Sequence, residues 1–419
     1  MLEKLGNWAG NFYFGAAQIH RPNSVEKVQS IVASSNKVRV IGSRHSFNHI
    51  ADTHADLISL EALPPVMRID ASRSTVSVSA GVTYGQLGMF LHRAGYALHN
   101  MASLPHISVA GACATATHGS GDGNGNLATA VEGVAFVDAA GEINSITREA
   151  DGDALDGAAV SLGAFGVITA LTLKIEPSFD VQQDVYEKLP FAVLVENFDA
   201  IVSSAYSVSL FTDWQQPYVN QLWCKRKIEN ARLEAPVEMF GAQRARYDRH
   251  PIDTVSADSC TTQMGVPGPW HERLPHFKMD YTPSNGEELQ SEYFVPREHA
   301  VAAIQAVAGL RAELAPQLMI SEIRTIAADR LWMSPCLGQP GVGLHFTWKK
   351  NWPEVQRLLP TVEAALRPFE ARPHWGKLFT MAPERVRSSY RKRADFQSLA
   401  RRYDANGKFR NSFLDSYVM

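Results

Sequence analysis

A run of small residues at positions 103–125, SLPHISVAGACATATHGSGDGNG, restricts the fold more than any other feature of the chain. Small residues let a backbone approach a ligand closely. A segment of this composition cannot build a core, and it is too long for a simple turn. We therefore expect a functional loop, with a flexible glycine loop as the alternative. The residues concerned are Gly111, Gly119, Gly121, Gly123 and Gly125, with hydroxyl groups at Ser103, Ser108, Thr115 and Thr117.

The glycine spacing in this run does not fit the common nucleotide motifs. The pattern G-x-G-x-G at residues 121–125 neither follows a predicted strand nor opens a predicted helix, so it fails the context of the dinucleotide fingerprint. The P-loop pattern G-x-x-x-x-G-K-[ST] does not occur in the sequence. Any nucleotide bound here must be held in another way.

Residues 38–46, VRVIGSRHS, predict a buried strand that ends in a tight turn. The turn begins at Gly42 and presents Ser43, Arg44, His45 and Ser46. Successive backbone N–H groups in such a turn can point at one phosphate. A phosphate cradle beside an imidazole suits a flavin dinucleotide. Taken alone, the segment also fits a strand-to-loop turn with a surface histidine.

Composition excludes several classes of protein. The chain is 45% hydrophobic and 20% charged, with a formal net charge of -3, so it lacks the basic footprint of a nucleic-acid binder. It has no apolar stretch of about 18 residues for a membrane span and no signal-peptide core. Four widely spaced cysteines predict reduced thiols and a cytoplasmic protein. The sequence shows no coiled-coil pattern and no apolar stripe that would indicate a partner subunit, so we expect a monomer.

The element pattern predicts an α+β fold of more than one domain, because strands and helices interleave without a βαβ rhythm. We expect domains at residues 1–180 and 181–375 and a C-terminal segment at 376–419. The principal predicted helices are 24–34, capped by Asn23 or Ser24, 84–94, capped by Thr83, 301–313 and 396–403. The principal predicted strands are 38–41, 74–79, 131–137, 143–146, 167–175, 319–326 and 343–348.

Charged residues alternate with apolar ones along one of the later strands. Glu322 and Arg324 lie two apart and therefore on one face of the strand. His345 and Thr347 repeat the pattern on another strand, and Lys377 could add a cation. Buried charges are usually paired or functional. We predict that the two strands project these groups into one cavity; an exposed charge pair and a solvated sheet face are the alternatives.

A metal site is not expected. His271, Glu272 and His276 have the spacing H-E-x-x-x-H, which suggests a zinc hydrolase. A zincin needs its two histidines at i and i+4 on a helix. Here they are five apart with Pro275 between them, so we expect no metal.

Several segments together resemble the vanillyl-alcohol-oxidase-type flavoproteins, in the branch of the aldonolactone and alditol oxidases. The resemblance covers nearly the whole chain. It implies a two-domain fold with an FAD-binding domain and a substrate (cap) domain that holds an antiparallel sheet. The segments are NWAGN (7–11), GSRHS (42–46), SLPHISVAGACATATHGSG (103–121), SLGAFGVIT (161–169), GVPGPWHERLPHF (265–277), SEIRT (321–325), RPHWGK (372–377) and NGKFRN (406–411).

The resemblance implies that His45 carries FAD covalently, through a ring nitrogen to the flavin 8α-methyl group. A histidine that is neutral near pH 7 suits this chemistry. Arg44 departs from the pattern, since a small residue would look more natural there, and His118 could be only a hydrogen-bonded loop residue. The other implied FAD contacts are Ile41, Gly42, Ser43, Arg44, Ser46, Ser103, Ser108, Gly111, Thr115, Ala116, Thr117, His118, Val167 and His374.

The resemblance also implies the reaction, which is oxidation of the C1 hydroxyl of an alditol such as xylitol or sorbitol. Hydride would pass to flavin N5, and O₂ would become H₂O₂. Arg324 would stabilise negative charge, and Lys377 or His345 would take the hydroxyl proton. A sugar-1,4-lactone oxidase or dehydrogenase is the alternative, and a non-catalytic flavin- or polyol-binding protein is a third possibility. The implied catalytic residues are Arg324, Lys377, His345 and Glu322, and the implied substrate contacts are Ser103, Glu322, Arg324 and Thr347.

Overall fold

The computed structural model describes residues 4–228, 234–281 and 287–419. The strands in this part of the chain are β1 (Gln18–His20), β2 (Val38–Ile41), β3 (Asp56–Ser59), β4 (Met67–Asp70), β5 (Thr75–Ser79), β6 (Tyr96–Ala97), β7 (Val131–Val137), β8 (Ile143–Thr147), β9 (Val167–Lys174), β10 (Glu176–Pro177), β11 (Asp180–Pro190), β12 (Ser207–Thr212), β13 (Tyr218–Ile228), β14 (Glu238–Met239), β15 (Ala242–Arg244), β16 (Gly268–Pro269), β17 (Glu288–Pro296), β18 (Leu318–Ile326), β19 (Gly341–Lys349) and β20 (Arg372–Pro373).

The α-helices of the same part are α1 (Val25–Ser34), α2 (Tyr84–Arg93), α3 (Val109–Ala114), α4 (Arg148–Asp151), α5 (Ala154–Ala158), α6 (Phe191–Val202), α7 (Trp270–Arg273), α8 (Ala300–Ala308), α9 (Arg311–Leu314), α10 (Trp352–Ala365), α11 (Pro383–Ser388), α12 (Arg393–Tyr403) and α13 (Ser412–Tyr417). The predicted helix at 301–313 is in fact two helices, interrupted at Gly309, a residue with poor helix propensity. None of the described helices is long and apolar enough to cross a bilayer.

Besides the short pair of β6 and β10, two sheets of three and five strands form the N-terminal part of the fold. One is parallel, in the order β1-β3-β2, and the other is antiparallel, in the order β4-β5-β9-β7-β8. Helix α1 begins at Ser24, whose side chain accepts a hydrogen bond from the Lys27 N–H group, as predicted. Thr83 and Gln86 form a capping box at the start of α2. These sheets and helices confirm the α+β class.

A larger antiparallel sheet follows, in the order β14-β15-β11-β13-β12-β18-β19-β17-β20. Its register places Glu322 of β18 opposite His345 of β19, and His345 opposite Glu292 of β17. These three residues therefore form one row across three neighbouring strands. Helices α6 and α8 contact strands of this sheet, and the alternate residues Leu344, Phe346 and Trp348 are buried in the core. The row of Glu292, His345 and Glu322 lies on the face that lines the cavity described below.

The C-terminal helices α11 to α13 return the chain to its N-terminal part. The backbone N–H of Val38 donates to the carbonyl of Lys408 at 3.0 Å, and that of Ala139 donates to the carbonyl of Tyr403 at 3.1 Å. The strands of the large sheet lie between residues 180 and 373. The domain limits 1–180, 181–375 and 376–419 stay a prediction.

The run of small residues differs from the expected loop. Residues Val109–Ala114 form helix α3, and Val109, Ala112 and Cys113 of this helix are buried in the core. The expectation that the run contributes nothing to a core is therefore wrong. Small side chains let the helix pack closely on one side while Gly111 remains exposed on the other. The same composition thus serves both packing and a ligand-facing surface.

Candidate active site

A cavity of about 460 Å³ lies where the turn after β2, the run of small residues and strands β17 to β19 meet. Every predicted catalytic and substrate-contacting residue lies in its wall. The predicted FAD contacts in the wall are Ile41, Gly42, Ser43, Arg44, His45, Ser46, Ser103, Ser108, Gly111, Thr115, Thr117, His118 and His374. Ala116 and Val167 are not part of the wall, and both are buried in the core.

The turn after β2 is packed tightly against the start of α3. A Cβ atom at Gly42 would lie 2.1 Å from Ser108 Oγ, and one at Gly111 would lie 2.7 Å from the same atom. The Ser108 N–H donates to Ser43 Oγ at 3.1 Å. Ser108 Oγ itself is buried and has no hydrogen-bond partner among the described residues. Glycine is required at both positions because a Cβ atom would collide with the Ser108 side chain.

His45 faces this cavity as a neutral imidazole. Burial lowers its pKa to about 3, and the nearby positive charge of Lys377 acts in the same direction. Its Nδ1 atom is buried with no hydrogen-bond partner in the described part of the chain. Arg44 has a positive φ of 62° and donates from Nη1 to the Gly6 carbonyl at 3.1 Å. The arginine is therefore held by the N-terminal segment.

His118 and His374 also line the cavity. His118 Nε2 hydrogen-bonds Glu292 Oε1 at 3.0 Å, and its Nδ1 lies 2.8 Å from the Gly119 carbonyl. Burial lowers the pKa of His374 well below its usual value, and its Nδ1 accepts a hydrogen bond from the Gly376 N–H at 3.0 Å. Both histidines thus have defined partners in the structure.

These residues fit a flavin dinucleotide. Gly42 lets the turn pack directly against Ser108, and two buried polar atoms in this region, Ser108 Oγ and His45 Nδ1, lack partners among the described residues. Unpartnered buried polar atoms are rare in folded proteins, so a ligand is the natural partner. Backbone N–H groups and hydroxyls suit the phosphates, and the neutral imidazole suits the ring.

Arg324 is the centre of the other half of the site. Its Nη2 donates to Glu292 Oε1 at 3.0 Å, its Nη1 donates to Ser103 Oγ at 3.3 Å, and its Nε lies 3.5 Å from Glu322 Oε2. Burial opposes the guanidinium charge, but the two carboxylates outweigh it and raise the pKa of Arg324. Burial likewise opposes the charge of Glu322, yet Arg324 and His276 hold the pKa of that carboxyl well below its usual range.

Glu292 also lies in the cavity wall, and sequence reasoning missed it. It contacts His118, Arg324 and His345, and its side chain is 2% exposed. Burial opposes its charge, but His118 and Arg324 hold its pKa well below the usual range. It follows Gln290 two residues along β17, in the same alternation that singled out Glu322 and Arg324. That spacing could have identified it.

His276 and Lys225 were also missed as parts of this site. His276 Nε2 donates to Glu322 Oε1 at 2.8 Å, and burial lowers the pKa of His276 to about 4. Lys225 is 1% exposed, and its Nζ donates to the carbonyls of Arg273, Leu274 and Pro275 at 2.8, 2.6 and 2.9 Å. His276 belongs to the rejected zinc pattern. No group of three or more metal-ligating side chains occurs within the described residues.

Two basic groups stand beside Arg324 in the cavity. Lys377 Nζ donates to Gln290 Oε1 and lies 4.8 Å from the centre of the Phe47 ring. Burial lowers the pKa of Lys377 to about 8. His345 Nδ1 lies 3.4 Å from Glu292 Oε2, and its Nε2 lies 3.3 Å from Thr347 Oγ1. Burial also lowers the pKa of His345, so its imidazole is neutral near pH 7.

Comparison with known proteins agrees with this geometry. An FAD binding domain family matches residues 16–147, and a D-arabinono-1,4-lactone oxidase family matches residues 281–417. The alditol oxidase of Streptomyces sp. (strain IKD472 / FERM P-14339) is 47% identical over 418 residues, which cover 99% of each chain. The L-gulono-1,4-lactone dehydrogenase of Mycobacterium tuberculosis is 27% identical over 428 residues, which cover 97% of each chain.

Among solved structures, a cholesterol oxidase from B. sterolicum superposes with a TM-score of 0.80 at 13% identity. The match covers 100% of this chain and 97% of that chain, and it shows a shared fold. Fold and site together define an FAD-dependent oxidoreductase with a vanillyl-alcohol-oxidase-type fold. The chain belongs to the alditol oxidase family. The family and the fold predicted from sequence are both confirmed.

Proposed function

We propose that the protein oxidises the terminal C1 hydroxyl of alditols such as xylitol and sorbitol to the aldose, with O₂ reduced to H₂O₂. We also propose that FAD is attached covalently through His45. The observation that carries this proposal is the convergence of Glu322, Arg324, His345 and Lys377 in the same cavity as the His45 turn. The 47% identity to a full-length alditol oxidase supports the substrate class.

The polar half of the cavity suits an uncharged, polyhydroxylated substrate. Glu322 accepts hydrogen bonds, Arg324 donates them, and Ser103 and Thr347 can do both. An alcohol that lacks a matching hydroxyl would leave one of these buried groups unpaired, at a cost of about 1–3 kcal/mol each. This difference is the physical basis for preferring alditols over simple alcohols.

FAD, when bound, would supply the hydride acceptor and the redox chemistry that connects the substrate to O₂. The protein must remove the hydroxyl proton. His345 is neutral, and with Nδ1 donating to Glu292 its Nε2 lone pair can accept that proton. Lys377 can accept it only in its neutral form, which becomes abundant above pH 8. Both groups remain candidates for the base.

Arg324 stabilises the negative charge that develops on the substrate oxygen. Its guanidinium is already oriented by Glu292 and by Ser103 Oγ, so it needs little rearrangement during the reaction. Removal of a preorganised donor of this kind typically costs a factor of about 100–1,000 in rate. Glu322, held by His276, anchors a neighbouring hydroxyl and keeps C1 in place.

A sugar-1,4-lactone oxidase or dehydrogenase is the second candidate, because the family match over residues 281–417 carries that description. Oxygen-electrode assays with xylitol, sorbitol and gulonolactone at equal concentrations distinguish the two. The proposal predicts O₂ consumption and H₂O₂ formation with the alditols and little with the lactone. Faster turnover of the lactone would overturn it. Turnover only with an artificial electron acceptor would indicate a dehydrogenase.

The covalent link has its own test. Flavin absorbance is measured in the pellet and the supernatant after acid precipitation of the purified protein. The proposal predicts that the flavin stays with the pellet in the wild type and moves to the supernatant in His45→Ala. Flavin in the wild-type supernatant would withdraw the special role of His45 while leaving FAD dependence intact.

We propose a cytoplasmic location, which the cysteines support. Cys113, Cys224, Cys260 and Cys336 are all free and buried, as is usual in a reducing compartment. A monomeric state stays a prediction, and light scattering coupled to size-exclusion chromatography tests it against the 46.1 kDa mass of one chain.

A further inference from the structure

The N-terminal motif NWAGN at residues 7–11 has no part in the proposed reaction, yet it contacts the turn that carries His45. The Trp8 ring stacks on the His45 imidazole, with ring centroids 5.1 Å apart and an angle of 21° between the planes. The Trp8 N–H donates to the Arg44 carbonyl at 2.8 Å. Both the ring and the backbone of Trp8 therefore hold this turn.

The two asparagines of the motif hold the next carbonyl groups of the same turn. Asn7 Nδ2 donates to the Ser46 carbonyl at 3.0 Å, and Asn11 Nδ2 donates to the Phe47 carbonyl at 2.9 Å. Asn7 Nδ2 also lies 2.6 Å from Asn11 Oδ1, so the two side chains support each other. Residues 7–11 thus hold three carbonyl groups of the turn, those of Arg44, Ser46 and Phe47.

The opposite side of the turn is held by the loop that carries Lys377. The Phe47 N–H donates to the Gly376 carbonyl at 2.7 Å. The turn also contains a non-glycine residue with positive φ, Arg44, a conformation that persists only when its surroundings fix it. Residues 7–11 and the loop that carries Lys377 therefore both hold the turn that contains His45, and the Trp8 ring packs against its imidazole.

We propose that Trp8 is a positioning residue for covalent attachment of the flavin, because its ring fixes the plane of the His45 imidazole. This inference rests on the proposed covalent link. Attachment replaces a C–H bond of the flavin 8α-methyl group and the N–H bond of the neutral imidazole with a C–N bond. The two hydrogens and two electrons released pass to O₂, which becomes H₂O₂. The reaction needs a ring nitrogen aimed at the methyl carbon, and a fixed ring spends more time in that orientation.

The test compares Trp8→Ala, Trp8→Leu and Trp8→Phe in the full-length protein. Each variant is incubated with FAD in air, and acid-stable flavin in the pellet is measured over time. We expect attachment about tenfold slower in Trp8→Ala and Trp8→Leu, with bound but acid-labile flavin accumulating, and near wild-type attachment in Trp8→Phe, which retains an aromatic ring. Trp8→Leu keeps the inference testable if Trp8→Ala fails to fold.

Two controls separate the possible outcomes. Trp352→Ala, which removes a ring outside the cavity wall, should attach flavin at the wild-type rate. His45→Ala should hold only acid-labile flavin. Attachment by Trp8→Ala and Trp8→Leu at the wild-type rate would overturn the role of Trp8. Acid-labile flavin in the wild type would overturn the covalent link itself, so the two failures are distinguishable.

Discussion

His276 and Glu322 are joined by a 2.8 Å hydrogen bond, from the imidazole Nε2 to Oε1 of the carboxylate. Behind this pair, Lys225 holds the three carbonyl groups that precede His276. The backbone N–H of His276 also donates to the Ser103 carbonyl at 3.1 Å. One short segment therefore connects Glu322, the proposed substrate-binding carboxylate, to the run of small residues at the predicted flavin site.

Glu322→Gln should weaken substrate binding. The amide keeps the shape of the side chain but loses the negative charge. That charge pairs with Arg324 and strengthens the hydrogen bond from His276. We expect KM for xylitol to rise about tenfold or more, with a smaller change in kcat. Steady-state kinetics in an oxygen electrode measure this. Glu354→Gln, at an exposed pair on α10, should change neither constant; an unchanged KM in Glu322→Gln would remove Glu322 from the site.

Arg324→Ala should slow flavin reduction by about 100-fold, because the developing charge on the substrate oxygen loses its main donor. Anaerobic stopped-flow mixing with xylitol measures this rate directly. Circular dichroism should show that the variant is folded, although it leaves Glu292 and Glu322 without their shared cation. Arg330→Ala removes an exposed arginine and serves as the control. A flavin reduction rate equal to that of the wild type would contradict the proposed role of Arg324.

The pH dependence of flavin reduction should identify the base. The pKa of Lys377 is lowered to about 8, so its neutral fraction grows as pH rises through that value. If Lys377 takes the proton, the rate rises about tenfold between pH 7 and pH 9, and Lys377→Met loses this rise. His345 is already neutral over the whole range because its pKa is lowered. A flat wild-type profile would therefore assign the proton to His345.

Lys225→Met should lower both stability and substrate affinity. The methionine fills the space but removes the Lys225 donor from the buried carbonyls of Arg273 and Leu274, whereas the Pro275 carbonyl still accepts from Thr261 Oγ1. Each buried carbonyl left without a donor costs about 1–3 kcal/mol in the free energy of unfolding. We expect a lower Tm and a raised KM, because His276 is no longer fixed against Glu322. Lys227→Met removes a lysine of the same strand that pairs with Glu176 and makes no contact with the His276 segment, so it should leave KM unchanged. Equal KM values for both variants would contradict the role of Lys225.

Gly42→Ala should reduce the flavin content of the purified protein. The new Cβ atom would lie 2.1 Å from Ser108 Oγ, so the packing of the turn against Ser108, at the predicted FAD contacts, must change. Flavin absorbance relative to protein absorbance measures the loss. Gly123→Ala is the matched control, because a Cβ atom there meets nothing within 4 Å and the residue has no positive φ. Full flavin content in Gly42→Ala would show that the cradle tolerates a side chain.

The amino-acid sequence by itself determined the α+β class and much of the local structure. Alternation with a period of two identified the strands that carry Glu322, Arg324, His345 and Thr347, since this spacing fixes which residues share a face. The capping residues Ser24 and Thr83 likewise marked helix starts through local hydrogen bonds. These features depend on neighbours a few positions away, so a sequence pattern is enough to predict them.

Only the tertiary structure decided which polar residues meet. Lys225, Glu292 and Glu322 lie on separate strands of the large sheet, and His276 reaches Glu322 from the segment that follows α7. The charge states follow from the same packing, because burial opposes each charge and a specific partner outweighs it. Residues 109–114, part of the run predicted as a loop, instead form helix α3, whose Val109, Ala112 and Cys113 pack into the core. Contacts between distant segments set these properties, and the local pattern of the chain does not encode them.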